Sequence, residues 1–186
     1  MPPNLDDDTL MIRTAQGEET AFRLLVQRWE REVKSFLIHM LGSVEEAEDL
    51  AQDTFVQVYD KAASYRPEGK FKSWLFRIAG NKARSRLRRR GILRWISFDP
   101  VIHDKGGGEP GPDGMMERDE REEAIRTALA GLPGRQRQAL VLHRFQGLRY
   151  KEVAVAMETT VSGVESLIQR ALSSLRNDLA GKGDLL

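Results

Sequence analysis

The chain has 186 residues, 40% of them hydrophobic and 31% charged, with a formal net charge of +1 and no cysteine. That length fits one domain or two small ones; the missing cysteine excludes disulfides and thiolate metal sites and suits a reducing compartment. Near-neutrality hides segregation: residues 1–95 sum to +3, 96–118 to −3 and 119–186 to +1, so any attraction for a polyanion must be local.

Taken in order, the acidic start MPPNLDDDTL lacks an apolar run, so no secretory signal is expected. No stretch approaches the length of a membrane span, which predicts a cytoplasmic protein without direct membrane insertion. Asp6 to Asp8 cap a short helix that Gly17 ends. From Ala21, the residues Phe22, Leu25, Val26, Trp29, Val33, Phe36, Leu37 and Met40 keep a helical stripe until Gly42 stops it. Ser43 and Glu46 form a capping box for a third helix running to about Ala62. Its buried side holds Ala47, Leu50, Ala51, Phe55 and Val58. The other side carries Glu45, Glu48, Asp49, Gln52, Asp53 and Asp60. Asp53 and Asp60 lie too far along to serve the helix dipole, so this face is either a solubilising surface or the dock for a basic partner.

SYRPEGK, residues 64–70, breaks the chain and presents Tyr65, which either stacks a base or plugs the loop onto the core. The next stretch, FKSWLFRIAGNKARSRLRRR, organises the reading. Phe71, Trp74, Leu75, Ile78 and Ala79 share one helical stripe, while Arg77, Asn81, Arg84 and Arg88 stack on the opposite face. Nine Lys or Arg and no carboxylate fall between Phe71 and Trp95. An undiluted basic face interleaved with aromatics suits a nucleic-acid strand with exposed bases; the alternative is a solvated helix whose cations favour its C-terminal dipole.

Residues 99–114, DPVIHDKGGGEPGPDG, are rich in glycine and proline and predict a flexible, mildly acidic linker within 96–118. His39, His103 and His143 are solitary, so no metal site is expected. A second domain, 119–186, opens with a helix that buries Ile125, Leu129 and Leu132. Pro133 suits the first turn of the next helix, which runs to Gly147. Tyr150 to Met157 and Ser162 to about Leu179 are two helices joined by a tight turn, with Ala154 small at the crossing and Val161, Val164 and Leu167 apolar. This is helix-turn-helix spacing, or a small protein-binding bundle. Glu158 stands where glycine often sits, at a cost of about 1 kcal/mol should its φ be positive.

Four blocks in this order resemble the small two-domain bacterial RNA polymerase sigma factors of the extracytoplasmic-function (ECF) group: AEDLAQDTFVQVY at 47–59, FKSWLFRIAGNKARSRLRRR at 71–90, LPGRQRQALVLHRFQGLRYKEVA at 132–154 and VSGVESLIQRALSSLR at 161–176. The resemblance implies an all-α fold of two helical domains, with residues 1–95 for polymerase clamp and minus-10 binding and 119–186 for minus-35 binding. It implies that Asp49, Gln52 and Asp53 dock on the β′ clamp of core RNA polymerase, with the β flap a further partner. Tyr65, Trp74, Ile78 and Asn81 would hold the melted minus-10 element, and Arg77, Lys82, Arg84 and Arg88 its backbone. Ser162, Gly163, Glu165, Ser166, Gln169 and Arg170 would enter the minus-35 major groove, with Arg149, Tyr150 and Lys151 near phosphates. The linker would run through the RNA exit path, and many relatives carry an anti-sigma partner. Family members often have Lys and Arg where this chain has Glu165 and Leu167, and a glutamate accepts from cytosine N4 or weakens backbone attraction. No catalytic constellation or cofactor motif is present, so a non-catalytic specificity subunit is expected, its rival being a polymerase-independent helix-turn-helix regulator. Burial of the arginine-rich face, or fusion of both halves into one inseparable core, would contradict this account.

Overall fold

The computed structural model describes residues 5–96 and 113–183, with side chains described for 5–91 and 122–177. Among them every regular element is helical: α1 (Asp7–Ala15), α2 (Glu19–Leu41), α3 (Val44–Asp60), a 3-10 turn at Ala62–Ser64, α4 (Phe71–Ile96), α5 (Asp113–Ala130), α6 (Gly134–Arg144), α7 (Tyr150–Met157) and α8 (Val161–Gly183). Most of the expected linker, and His103, lie outside the described residues. Helix α5 begins at Asp113, ahead of the linker's expected end at residue 118.

Local signals place the first helices. Asp6 accepts from the Thr9 amide at 2.7 Å and opens α1. Gly42, at φ 76°, closes α2 in the left-handed region that a side chain disfavours. The capping box of α3 is half made: Ser43 Oγ accepts from the Glu46 amide at 3.3 Å, but the Glu46 carboxylate pairs with Arg90 on α4. An arginine from another helix outbids the local amide.

Packing follows the expected stripes, with one widening. Phe71, Leu75, Ile78 and Ala79 of α4 are buried, and so are Phe76 and Ala83. Phe76 meets Phe36 edge-on at a ring separation of 5.3 Å and Trp29 at 6.4 Å, tying α4 to α2. Each such ring withdrawn from water contributes about 1.5–3 kcal/mol. In the C-terminal half, Leu132, Ala139, Leu140, Leu142, Val153, Val164, Ile168 and Ala171 are buried. Val161, expected to fix the second helix of the motif, is 42% exposed; Val164 and Ile168, four residues apart, do that work.

The two halves touch, so one apolar cluster continues from Leu10 to Ala171. The seam is strongly polar. Arg137 on α6 donates Nη1 to the Met40 carbonyl at 2.6 Å, and Nη2 to Ala130 O at 2.6 Å and Leu132 O at 3.2 Å. Arg90 donates to Leu41 O at 3.1 Å. These guanidiniums satisfy the carbonyls that the end of α2 leaves open. Burial, and secondarily Arg90, holds the Arg137 guanidinium below the usual arginine range. Lys72 Nζ reaches Gln146 O at 2.7 Å. Gln138 is fully buried with neither amide atom partnered, and its Nε2 lies 2.1 Å from where a Cβ on Gly80 would stand. A seam that strands a buried amide costs about 1–3 kcal/mol against a fully satisfied one. Contact between the halves was not part of the two-module expectation. The seam joins that apolar continuity to buried polar groups, Arg137, Gln138 and Gln146 among them.

Candidate nucleic-acid interface

Three surfaces follow from these helices. The first lies along α2 and α3. Asp49, Gln52 and Asp53 are exposed on one side of α3. Beside them runs an apolar groove lined by Phe22, Val26, Phe55, Val56 and Tyr59. Val56 is 60% exposed and Tyr59 47%, with Phe22 and Tyr59 packed edge-on at 5.1 Å. Asp49 and Asp53 aside, such a groove is the notable feature here, because exposed apolar side chains beside carboxylates mark a protein partner better than a charge run does. The sequence reading omitted Val56 and Tyr59. Their spacing from Gln52, four and then three residues, put them on its face.

The second surface is the outer side of α4. Arg77 is partly exposed, Asn81 and Arg88 are exposed, and Lys82 and Arg84 are half-buried. Arg84 Nη2 donates to Asn81 Oδ1, and Arg88 Nη2 to Ser85 Oγ at 3.2 Å. Burial, then Arg135 and Arg88, pushes the Arg84 guanidinium below its usual range, while Glu158 opposes that. Three guanidiniums therefore crowd one cleft between α4 and the start of α6, lined by Asn81, Arg84, Ser85, Arg88, Gly134 and Arg135. None of these cations is fully buried.

The aromatic end of this face is tied down. Tyr65 meets Trp74 edge-on at 4.9 Å and Phe71 at 5.9 Å, and its hydroxyl donates to Asp8 of α1. Asp8 also accepts from the Gly69 amide at 2.6 Å, clamping the loop. Burial, then the Asp8 hydrogen bond, raises the phenol above its usual range. Trp74 is half-buried and Ile78 only 5% exposed, so Ile78 supports this face from beneath.

The third surface is α8. Ser162, Glu165, Ser166, Gln169 and Arg170 are exposed and Gly163 is partly so. A Cβ on Gly163 would stand 2.7 Å from Thr159 Oγ1, so a side chain there would displace that hydroxyl. Arg149 and Lys151 are exposed at the start of α7. Tyr150 is half-buried against His143 at 4.8 Å, and Glu152 accepts from the Arg149 amide at 2.7 Å. In the turn, Glu158 has φ 50° and ψ 53°, the left-handed conformation expected of a glycine. His39 bonds Ser35 O and His143 bonds Leu148 O, roles internal to the fold.

An exposed helix-turn-helix with a separate cationic helix is an arrangement met in DNA-binding proteins. The chain matches the family "Sigma-70 region 2" over residues 25–92 and "Sigma-70, region 4" over residues 122–175. It is 32% identical over 177 residues to the RNA polymerase sigma-H factor of Pseudomonas aeruginosa, covering 91% of each chain. It is 31% identical over 185 residues to the ECF RNA polymerase sigma-E factor of Escherichia coli K12, covering 95% of this chain and 96% of the relative. Among solved structures it is similar to CnrH in complex with the cytosolic domain of CnrY, with a TM-score of 0.71, 24% identity and coverage of 94% and 97%. It is also similar to the sigma factor RpoE in complex with the anti-sigma factor NepR from Bartonella quintana, with a TM-score of 0.67, 25% identity and coverage of 86% and 96%. The chain belongs to the sigma-70 family as an ECF RNA polymerase sigma factor. It works in promoter-directed transcription initiation with RNA polymerase. No helix among the described residues is long and apolar enough to cross a membrane.

Proposed function

We propose that the chain is the non-catalytic specificity subunit of a cytoplasmic RNA polymerase, and that its three surfaces divide the work. The groove between α2 and α3, with Asp49, Gln52 and Asp53 at its edge, docks on the β′ clamp. The α4 face takes the minus-10 strand: Asn81 and the Tyr65–Trp74 pair handle bases, and Arg77, Lys82, Arg84 and Arg88 the phosphates. Helix α8 reads the minus-35 element through Ser162, Gly163, Glu165, Ser166, Gln169 and Arg170, steadied by Arg149, Tyr150 and Lys151. An anti-sigma protein is the natural antagonist, since RpoE of Bartonella quintana was solved with one. The β flap is the expected second polymerase contact.

The observation that carries this reading is the near full-length likeness to sigma-H, which runs through both halves in order. Physics supplies the reason for the division. Each small module alone grips DNA weakly, and fastening both to one enzyme makes the second contact intramolecular, raising avidity about 10²–10⁴-fold.

Transcription reconstituted from core polymerase on a promoter library tests it. The chain should select promoters sharing minus-10 and minus-35 motifs, and an Asn81→Ala, Trp74→Ala double variant should lose at least about tenfold in open-complex formation, roughly 1.4 kcal/mol. Wild-type yield from that variant would remove α4 from strand opening.

A further inference from the structure

One side chain on the minus-10 face is already engaged, and by the other half of the molecule. Arg77 Nη1 lies 3.2 Å from Glu158 Oε1, across 81 positions of sequence. Glu158 is the one non-glycine described residue with a positive φ, in a turn where glycine would be unstrained. Strain held at one residue, with its carboxylate set on a cation of another surface, points to a function for that residue. Carboxylate and phosphate oxygens suit the same guanidinium fork.

We propose that Glu158 is an internal phosphate mimic: in the free chain it occupies Arg77, so that the helix-turn-helix module competes with the minus-10 strand for α4. This rests on the assignment of α4 to that strand, and adds how the site is kept from DNA until polymerase is bound. The pair is exposed on both sides, with side chains 36% and 62% accessible. Such pairs are weak, which suits a contact that must yield. Yielding is a geometric necessity. Promoter elements centred near −10 and −35 lie about 85 Å apart along B-form DNA, whereas a closed chain of this length has a radius of gyration of about 16 Å. The closed form reaches one element at a time. The 16 residues 97–112 joining α4 to α5 reach at most about 55 Å, and the halves supply the rest of the span, since α4 and α8, of 26 and 23 residues, are about 39 and 35 Å long. Parting returns the unpartnered Gln138 amide to water, which offsets part of the cost of separating the apolar contacts across the seam.

The test is binding of the full chain, without polymerase, to a single-stranded A/T-rich oligonucleotide of about 12 nucleotides across a salt series. Glu158→Gly frees Arg77 and relaxes the turn; Glu158→Gln keeps the turn as it is and removes the charge that holds Arg77, leaving at most a neutral hydrogen bond. Both should bind about two- to fivefold tighter than wild type, and log K should fall more steeply with log salt by about 0.7, one extra phosphate neutralised on a single strand. In an Arg77→Ala background, Glu158→Gln should bring no gain, which separates the pair from a general loss of negative charge. A gain from glycine alone, an unchanged salt slope or a gain that survives Arg77→Ala overturns the mimic. Wild-type chain with core polymerase is run on a promoter alongside: if it initiates while the variants bind no better, only the mimic fails, and if it does not initiate, the function itself fails.

Discussion

Replacing Asp49 and Asp53 together by lysine is expected to abolish association with core polymerase while leaving the fold unchanged. Both carboxylates are exposed, so reversing them creates no buried charge, and the stability change should stay within about 0.5 kcal/mol. At a basic partner the same change replaces attraction by repulsion at two neighbouring points, which costs several kcal/mol and slows encounter. Co-purification or a fluorescence binding assay with core polymerase reads the loss, and a thermal melt verifies the fold. The apolar groove refines the expectation. Tyr59 and Val56 stand beside the carboxylates with much of their surface in water, so Tyr59→Ser should weaken association by slowing nothing but speeding release, the mark of lost apolar contact. Unchanged association by the double lysine variant would move the dock elsewhere.

The second large effect is structural. Arg137→Ala should destabilise the chain by about 2–4 kcal/mol, read as a lowered urea midpoint. Its guanidinium serves three carbonyls, Met40, Ala130 and Leu132, and thereby ties the end of α2 to α5 and α6. Truncation strands those carbonyls inside the seam. Arg137→Lys should recover little, because an ammonium on a flexible stem cannot serve carbonyls on both sides as a planar fork does. A change below about 0.5 kcal/mol would show that water replaces the guanidinium freely and that the seam is already wet.

How far the sequence anticipates this molecule depends on how local each cause is. Asp6, Ser43 and Gly42 act within four residues, and the helix ends they predict are present. The α4 arginines alternate with apolar residues at helical spacing, so their outward side was legible without a partner. Glu158 was flagged by its place in a turn, and its left-handed φ follows. What escaped was set by contacts distant in sequence. Glu46 leaves its capping box because Arg90 arrives from α4; Val161 stays in water because Val164 and Ile168 already fill the space beneath α8. The docking of the two halves joins apolar surface from both and brings Arg137, Lys72 and Arg77 to groups 97, 74 and 81 positions away, and no periodicity encodes such meetings. Ile78 is 5% exposed, as its place on the apolar stripe of α4 led one to expect, and it lies beneath the face to which the resemblance assigned it.

The central claim is that this chain holds promoter DNA usefully only when seated on polymerase. Gel-shift and permanganate footprinting of one duplex promoter, with the chain alone, core polymerase alone and both together, measures it directly. The account predicts no stable shift with the chain alone, and with both components a promoter-specific complex whose minus-10 thymines become reactive. A tight, sequence-specific shift by the chain alone, with no strand opening when polymerase is added, would contradict it.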